Sequence, residues 1–312
     1  SRDFRFKQRS WFLTKSKGIC QGCSKGCNIF IDHNREKYKD DVIYRFRPRL
    51  NDKVNGYFIC DDGRMSYKVE NENRLNTALI AGKESGFNAT IEALRREISQ
   101  ASKVVFLLSP NNSLEQMYAL QQLAIASNAV VTGFCDGYSK AGDGDDFLIQ
   151  DDKSANRASF TLLGIDSSRA GFDAAISGAD LLISFQNDLS KSLTVAEFDQ
   201  LLSSVKVAYV GSSLDGCAVK ATIALPVASY TEDAGTLINV DQILQQYEIA
   251  VVKNTPAFNL IHVVNLLGGP VKDYHEARAE IMANVAALNG IDLEQVPRSE
   301  ERRVGKECRS RW

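Results

Sequence analysis

Two hydrophobic rhythms alternate along most of this chain. In 87–98, Ile91, Leu94 and Ile98 recur on one helix face, and Asn88 stands where an N-cap belongs. Val104–Leu108 follows as an unbroken apolar run, the pattern of a parallel strand buried on both faces. Ser113 and Gln116 have capping-box spacing and predict a helix over 114–125. Strands are expected at 129–132, Leu181–Phe185 and 205–210, with a helix near 195–202. Thr255 and Pro256 open a further predicted helix that Gly268 and Gly269 close, and the last helix is expected over roughly 274–288. Strand and helix in alternation imply right-handed crossovers and an α/β fold with a doubly wound, mostly parallel sheet.

The ends depart from this rhythm. Residues 1–70 are rich in Arg, Tyr, Phe and Cys, with short β-type runs at 27–32 and 42–46, and predict a small β-rich subdomain. Residues 71–297 form the α/β domain. Within it, 133–159 is Gly/Asp-rich and aperiodic, which predicts a long loop over the carboxyl edge of the sheet, where open α/β folds bind ligands. Gly142 and Gly144 make no dinucleotide fingerprint, because no strand leads in and no third glycine follows. At 298–312 the character changes again. The basic, aperiodic stretch 300–312 resembles the ends of truncated reading frames in assembled metagenomic DNA and is expected to be a non-native tail. The start at Ser1 rather than Met suggests a piece of a longer polypeptide.

Composition changes the picture only a little. With 44% apolar and 24% charged residues, the 312-residue chain has the make-up of a soluble globular protein. No apolar run approaches the roughly 18–20 residues of a membrane span, and no apolar segment follows a basic start as in a secretory leader. Charge is more informative. Residues 1–60 hold 14 Lys/Arg against 6 Asp/Glu, whereas 61–297 hold 17 against 30. A basic head on an acidic body suggests an anionic centre or a docking face in the head. No nucleic-acid-reading motif accompanies it, so nucleic acid is not an expected partner.

The chemistry lies in the cysteines. Four of the seven fall within the first 60 residues, as Cys20-x-x-Cys23-x-x-x-Cys27 and a distant Cys60. A [4Fe–4S] cubane needs four converging thiolates; a tight loop supplies three and the fourth arrives from elsewhere. Gly22 and Gly26 sit where the loop must curl with its amides toward sulfide, and Lys25, Arg45, Arg47 and Arg49 offer positive charge to a net anion. Zinc remains an alternative, although zinc ribbons present a second short knuckle and Cys60 stands alone. His33 is expected to be a hydrogen-bonded histidine rather than a ligand, and Cys135, Cys217 and Cys308 to be incidental thiols.

These residues carry a resemblance. Asp3-Phe4-Arg5-Phe6-Lys7, Trp11-Phe12-Leu13, the cysteines, Arg47-Pro48-Arg49, Asn51, Val54-Asn55-Gly56 and Cys60-Asp61-Asp62-Gly63-Arg64 resemble the large iron–sulfur subunit of bacterial NADH:quinone oxidoreductase, respiratory complex I. Further along, Asp146-Phe147-Leu148-Ile149, Asn156, Leu162-Leu163-Gly164, Ala179 to Ile183, Thr222 to Pro226, Glu232, Gly235-Thr236 and Asn239 are similar to the same family. The resemblance implies a molybdopterin-oxidoreductase type of sheet, one [4Fe–4S] cluster on Cys20, Cys23, Cys27 and Cys60, and no catalytic residues in this chain. It also implies partners among the other peripheral-arm subunits and a cytoplasmic place peripheral to the inner membrane. A catalytic molybdenum or tungsten bis-pterin enzyme, such as a formate dehydrogenase, is the alternative; a zinc-binding interaction module is the second. Active pterin enzymes resemble one another in a Cys-x-Lys-Gly-Arg run, where this chain has Asp62, and in a Glu-Gly-Arg, where it has Asp241-Gln242-Ile243. With the short link from Ser190 to Thr222, these departures lead us to expect the fold kept and the pterin lost.

Overall fold

A computed structural model describes residues 7–34, 42–214, 216–252, 258–288 and 290–294. Its centre is a seven-stranded sheet. Along the chain the strands are β1 (Thr14–Ile19), β2 (Asn28–Asn34), β3 (Val42–Pro48), β4 (Ala78–Ile80), β5 (Lys83–Ser85), β6 (Val104–Leu108) and β7 (Val130–Thr132). They continue as β8 (Leu181–Phe185), β9 (Lys206–Gly211), β10 (Ile223–Pro226), β11 (Gly235–Ile238) and β12 (Leu244–Tyr247). The large sheet runs β5-β4-β10-β9-β8-β6-β7, with β6 to β10 mutually parallel and β4 and β5 an antiparallel hairpin at one edge.

The unbroken apolar run of β6 explains why this sheet is covered on both faces. Val104, Phe106 and Leu108 point into one core with the helices Phe87–Gln100, Leu114–Ser127, Leu260–Leu266 and Tyr274–Asn284. Val105 and Leu107 point into the other, with Phe172 and Ala175 of Arg169–Ile176 and Phe198 and Leu201 of Val195–Ser204. Successive strand side chains alternate faces, so only an all-apolar strand can feed two cores. Among the described residues no helix is long and apolar enough to cross a membrane.

Several predicted boundaries shift, each for a local reason. The helix expected from Asn88 starts at Phe87 with Gly86 as its cap, and Phe87 packs against the core and, at a tilt, against Phe258, 4.5 Å between ring centroids. Ser113 and Gln116 do form a capping box, and Thr194 and Glu197 form another at the start of the helix expected near 195. Thr255 and Pro256 lie outside the described residues; the helix they were expected to open starts at Leu260, where Asn259 accepts from the His262 N–H at 2.7 Å. The final helix stops at Asn284, and Ala286–Leu288 is a separate 3-10 turn. The aperiodic loop ends at Asn156, short of 159, because Arg157–Leu163 is helical and closes on Gly164 at φ 69°. The 298–312 tail lies outside the described residues.

The β1-β2-β3 sheet is antiparallel and stands apart from the large one. Its core of Ile29, Ile31, Ile43, Phe46, Ile59 and Tyr67 also contains Cys20 and Cys27, and is closed by Leu148, Ala250 and Val251 from far along the chain. On its other face the fully buried Asp32 carboxylate accepts from Arg45 at 2.6 Å and from Arg47 at 2.7 and 2.8 Å. Of the positive charge expected to face the cysteines, Arg45 and Arg47 share this one carboxylate on the opposite face.

Candidate iron–sulfur site

The strand β1 ends at Ile19 and delivers Cys20 to the tip of the small sheet, where its N–H donates to the Cys27 carbonyl at 2.8 Å. That bond closes the loop carrying Cys23. Gly26, at φ +63°, makes the turn possible; a side chain there would be strained and would meet Gln245 Oε1 at 2.7 Å. Cys60 comes from the other side as the N-cap of the short helix Asp61–Met65, its sulfur accepting from the Gly63 N–H at 3.3 Å. A methyl group on Gly63 would stand 3.0 Å from Cys20 Sγ and 3.3 Å from Cys60 Sγ, so the two sulfurs flank one glycine. The Gly22 N–H likewise approaches Cys20 Sγ at 3.4 Å.

The four thiols share one buried patch. Cys20, Cys23 and Cys27 are buried and Cys60 half-buried, and none of the six described cysteines is in a disulfide. Burial pushes the Cys20 thiol up to about 12 and raises Cys27 and Cys60 as well, with each of the six pairings among the four adding mutual repulsion. Four anions do not share a low-dielectric site without a cationic centre between them. The residues therefore fit a cluster in chemistry: four soft donors, two amides aimed at sulfur, and a pocket that penalises bare thiolates. Among the described residues no group of three or more His, Cys, Asp or Glu is placed to hold a metal ion.

His33 is buried and shares a 2.9 Å hydrogen bond with Ser16 Oγ. Arg49 is buried among Gly18, Asn28 and Ile29 acceptors, and burial lowers its guanidinium to about 10. Cys135 and Cys217 are buried away from the four, and Cys308 is outside the described residues.

A second candidate place is the carboxyl edge between β6 and β8, where connections leave in opposite directions and open α/β sheets hold ligands. Here it is bridged. Asn187 Nδ2 donates to the Leu108 and Phe134 carbonyls at 2.9 and 3.0 Å, and Ser109 N–H donates to Phe185 at 3.1 Å. Asn156 reaches the Asn112 carbonyl at 2.7 Å and accepts from the Ile238 N–H at 2.7 Å. Glu232 is held by Arg74 at 2.5 Å and by the Ser229 N–H at 2.8 Å. Gly235 is required because a Cβ would collide with Ser113 and Tyr247, and Thr236 donates its N–H and hydroxyl to the fully buried Glu115 at 2.8 and 2.6 Å.

Asp233, beside this edge, accepts from Gln116 and the Ala234 N–H, each at 2.9 Å. Burial nonetheless raises its carboxyl from 3.8 to about 6. A raised acid keeps its proton longer in the folded chain, so its contribution to stability is full below about pH 4 and is lost as pH rises through about 6. At neutral pH the charged form costs about 3 kcal/mol. Asp233→Asn should remove that loss. The check is the stability difference between the two proteins in urea near pH 4 and near pH 7; the same difference at both would show that Asp233 titrates normally.

No family model matches the chain. By sequence it is similar to the G subunit of NADH-quinone oxidoreductase from Buchnera aphidicola of Schizaphis graminum, 35% identical over 137 residues, which is 42% of this chain and 14% of that protein. The same subunit of Pseudomonas fluorescens is 35% identical over 122 residues, 38% of this chain and 13% of the relative. That of Escherichia coli K12 is 32% identical over 138 residues, 41% and 14%. The matches thus span about one-seventh of these relatives' length. Among solved structures, the formyltransferase/hydrolase complex of Methylorubrum extorquens aligns with a TM-score of 0.31 and 9% identity, covering 61% of this chain and 97% of that one, a likeness too slight to inform fold or function.

Proposed function

We propose that this homologue of the NADH-quinone oxidoreductase G subunit, related to it over about two-fifths of its length, carries one [4Fe–4S] cluster on Cys20, Cys23, Cys27 and Cys60 and works as an electron-transfer or scaffold part of that complex. The single observation behind it is the meeting of four thiols, three buried and one half-buried, with two backbone N–H groups directed at their sulfurs. A bound cluster would supply one-electron exchange. The protein's own part is to bury the thiolates, donate hydrogen bonds to them and fix the loop.

In this reading the α/β domain, from about residue 71, is of the molybdopterin-oxidoreductase type with the pterin lost. Support comes from the exposed Asp62 two residues after Cys60, from Asp241 paired with Lys25 at 3.1 Å, and from the hydrogen bonds that bridge the sheet edge. An anionic pterin diphosphate would need cations at these places. The other subunits of the peripheral arm are the proposed partners, on the cytoplasmic face of the membrane. The domain division near residue 70 belongs to the same proposal.

The experiment is metal analysis with a visible spectrum on the complete subunit, purified anaerobically from a molybdate-fed native host. About four irons per Cys20–Cys60 site, without molybdenum, tungsten or released pterin, is the expected result, once further clusters in the complete subunit are subtracted. Near-stoichiometric pterin would promote the catalytic alternative, and zinc in place of iron the interaction module.

A further inference from the structure

The cluster loop is gripped from far along the chain. The turn of the β11–β12 hairpin lies over residues 24–26: Val240 N–H donates to the Ser24 carbonyl at 2.8 Å, Asn239 Nδ2 to Lys25 at 3.2 Å, and Gln245 Nε2 to Gly26 at 2.9 Å. Three consecutive carbonyls are thus satisfied by one hairpin. Asn239 is itself fixed by accepting from the Ile243 N–H at 2.8 Å. A fourth contact differs in kind. Lys25 Nζ, on a side chain only 17% exposed, meets Asp241 Oδ2 at 3.1 Å, while Asp241 is 46% exposed. Lys25 stands between two of the four cysteines, near enough to Cys27 for its charge to favour the thiolate.

We propose that Asp241 is an attenuator of the iron–sulfur site: it partly cancels the field of Lys25 and so holds the cluster's reduction potential below the value the lysine alone would set. The inference rests on the reading that the four cysteines hold a cubane. A four-thiolate cubane gains negative charge when it accepts an electron, so a neighbouring cation favours the reduced form and a neighbouring anion opposes it. The hairpin holds the Lys25 backbone, and the lysine side chain is only 17% exposed. Asp241 reaches it from the half-exposed side, where salt screens part of its effect. Asp241 is a positioning and charge-setting residue that acts through Lys25 and does not ligate iron.

The test is a potentiometric titration of the full chain with its cluster assembled anaerobically, using dithionite and redox mediators and reading the reduced cluster by electron paramagnetic resonance. Asp241→Asn should raise the potential, Lys25→Met should lower it, and the double variant should return close to the parent. Lys25→Arg should keep the parent value, since it keeps the charge. The shifts should shrink as ionic strength rises. Unmoved potentials in both single variants, with clusters intact, would overturn the proposal. So would loss of the cluster in Asp241→Asn, because the hairpin would then be a structural clamp and nothing more. If Lys25→Met alone loses its cluster, the sign and salt dependence of the Asp241→Asn shift decide. An iron-free parent chain is a different result: it defeats the cluster reading itself.

Discussion

Cys60→Ala should empty the cluster site and loosen the chain from its start to about residue 70. In the proposed reading Cys60 is the fourth thiolate; it is also the N-cap of Asp61–Met65 and a neighbour of the core that holds the small sheet together. That core is small, two of its buried members are themselves cysteines, and a domain nucleated by metal gives up folding free energy with its metal. Iron should fall from about four per site toward none, and protease should find new cleavage points before residue 70. Four irons with unchanged protease resistance would count decisively against the assignment.

Glu115→Ala should be the most damaging change away from the cysteines, at about 3–5 kcal/mol. Glu115 is fully buried, accepts from Arg278 Nε at 2.8 Å and from Thr236 twice, and so joins the helix Leu114–Ser127 to β11 and to Tyr274–Asn284. Removing it leaves the buried Arg278 with only the more exposed Glu294, at 3.5 Å, as a carboxylate partner; its guanidinium also lies 4.4 Å from the Tyr274 ring. The loss would appear as a lowered denaturant midpoint. Glu115→Ala with Arg278→Met should lose less than Glu115→Ala alone, because no bare charge remains; an equal or greater loss would show that packing, not the ion pair, dominates.

The sequence disclosed what depends on local pattern. β6 and β8 announce themselves as unbroken apolar runs, and Ser113 with Gln116 as a cap, because burial on two faces and helix capping are decided within a few residues. The four cysteines were legible for the same reason: donor type and spacing are local facts. What stayed hidden is tertiary. Nothing near Asp32 tells that it will take both Arg45 and Arg47, and nothing near Lys25 points to Asp241, 216 positions away. The short helices Arg157–Leu163 and Arg169–Ile176 were missed because each is two turns long and interrupted by polar residues, too brief for a periodicity to declare itself. Gly235 and Thr236 carried a family resemblance without a reason; the close approach of Ser113 and Tyr247 and the buried Glu115 supply one.

The hairpin's hold on the cluster loop also orders events in time. Its contacts join residues 214 to 219 positions apart, and closing so long a loop costs roughly 5 kcal/mol of chain entropy before any contact repays it. Contacts of such separation slow folding, because the loop-closure entropy is spent before they form. During synthesis the loop carrying Cys20, Cys23 and Cys27 leaves the ribosome more than two hundred residues ahead of the hairpin that clamps it.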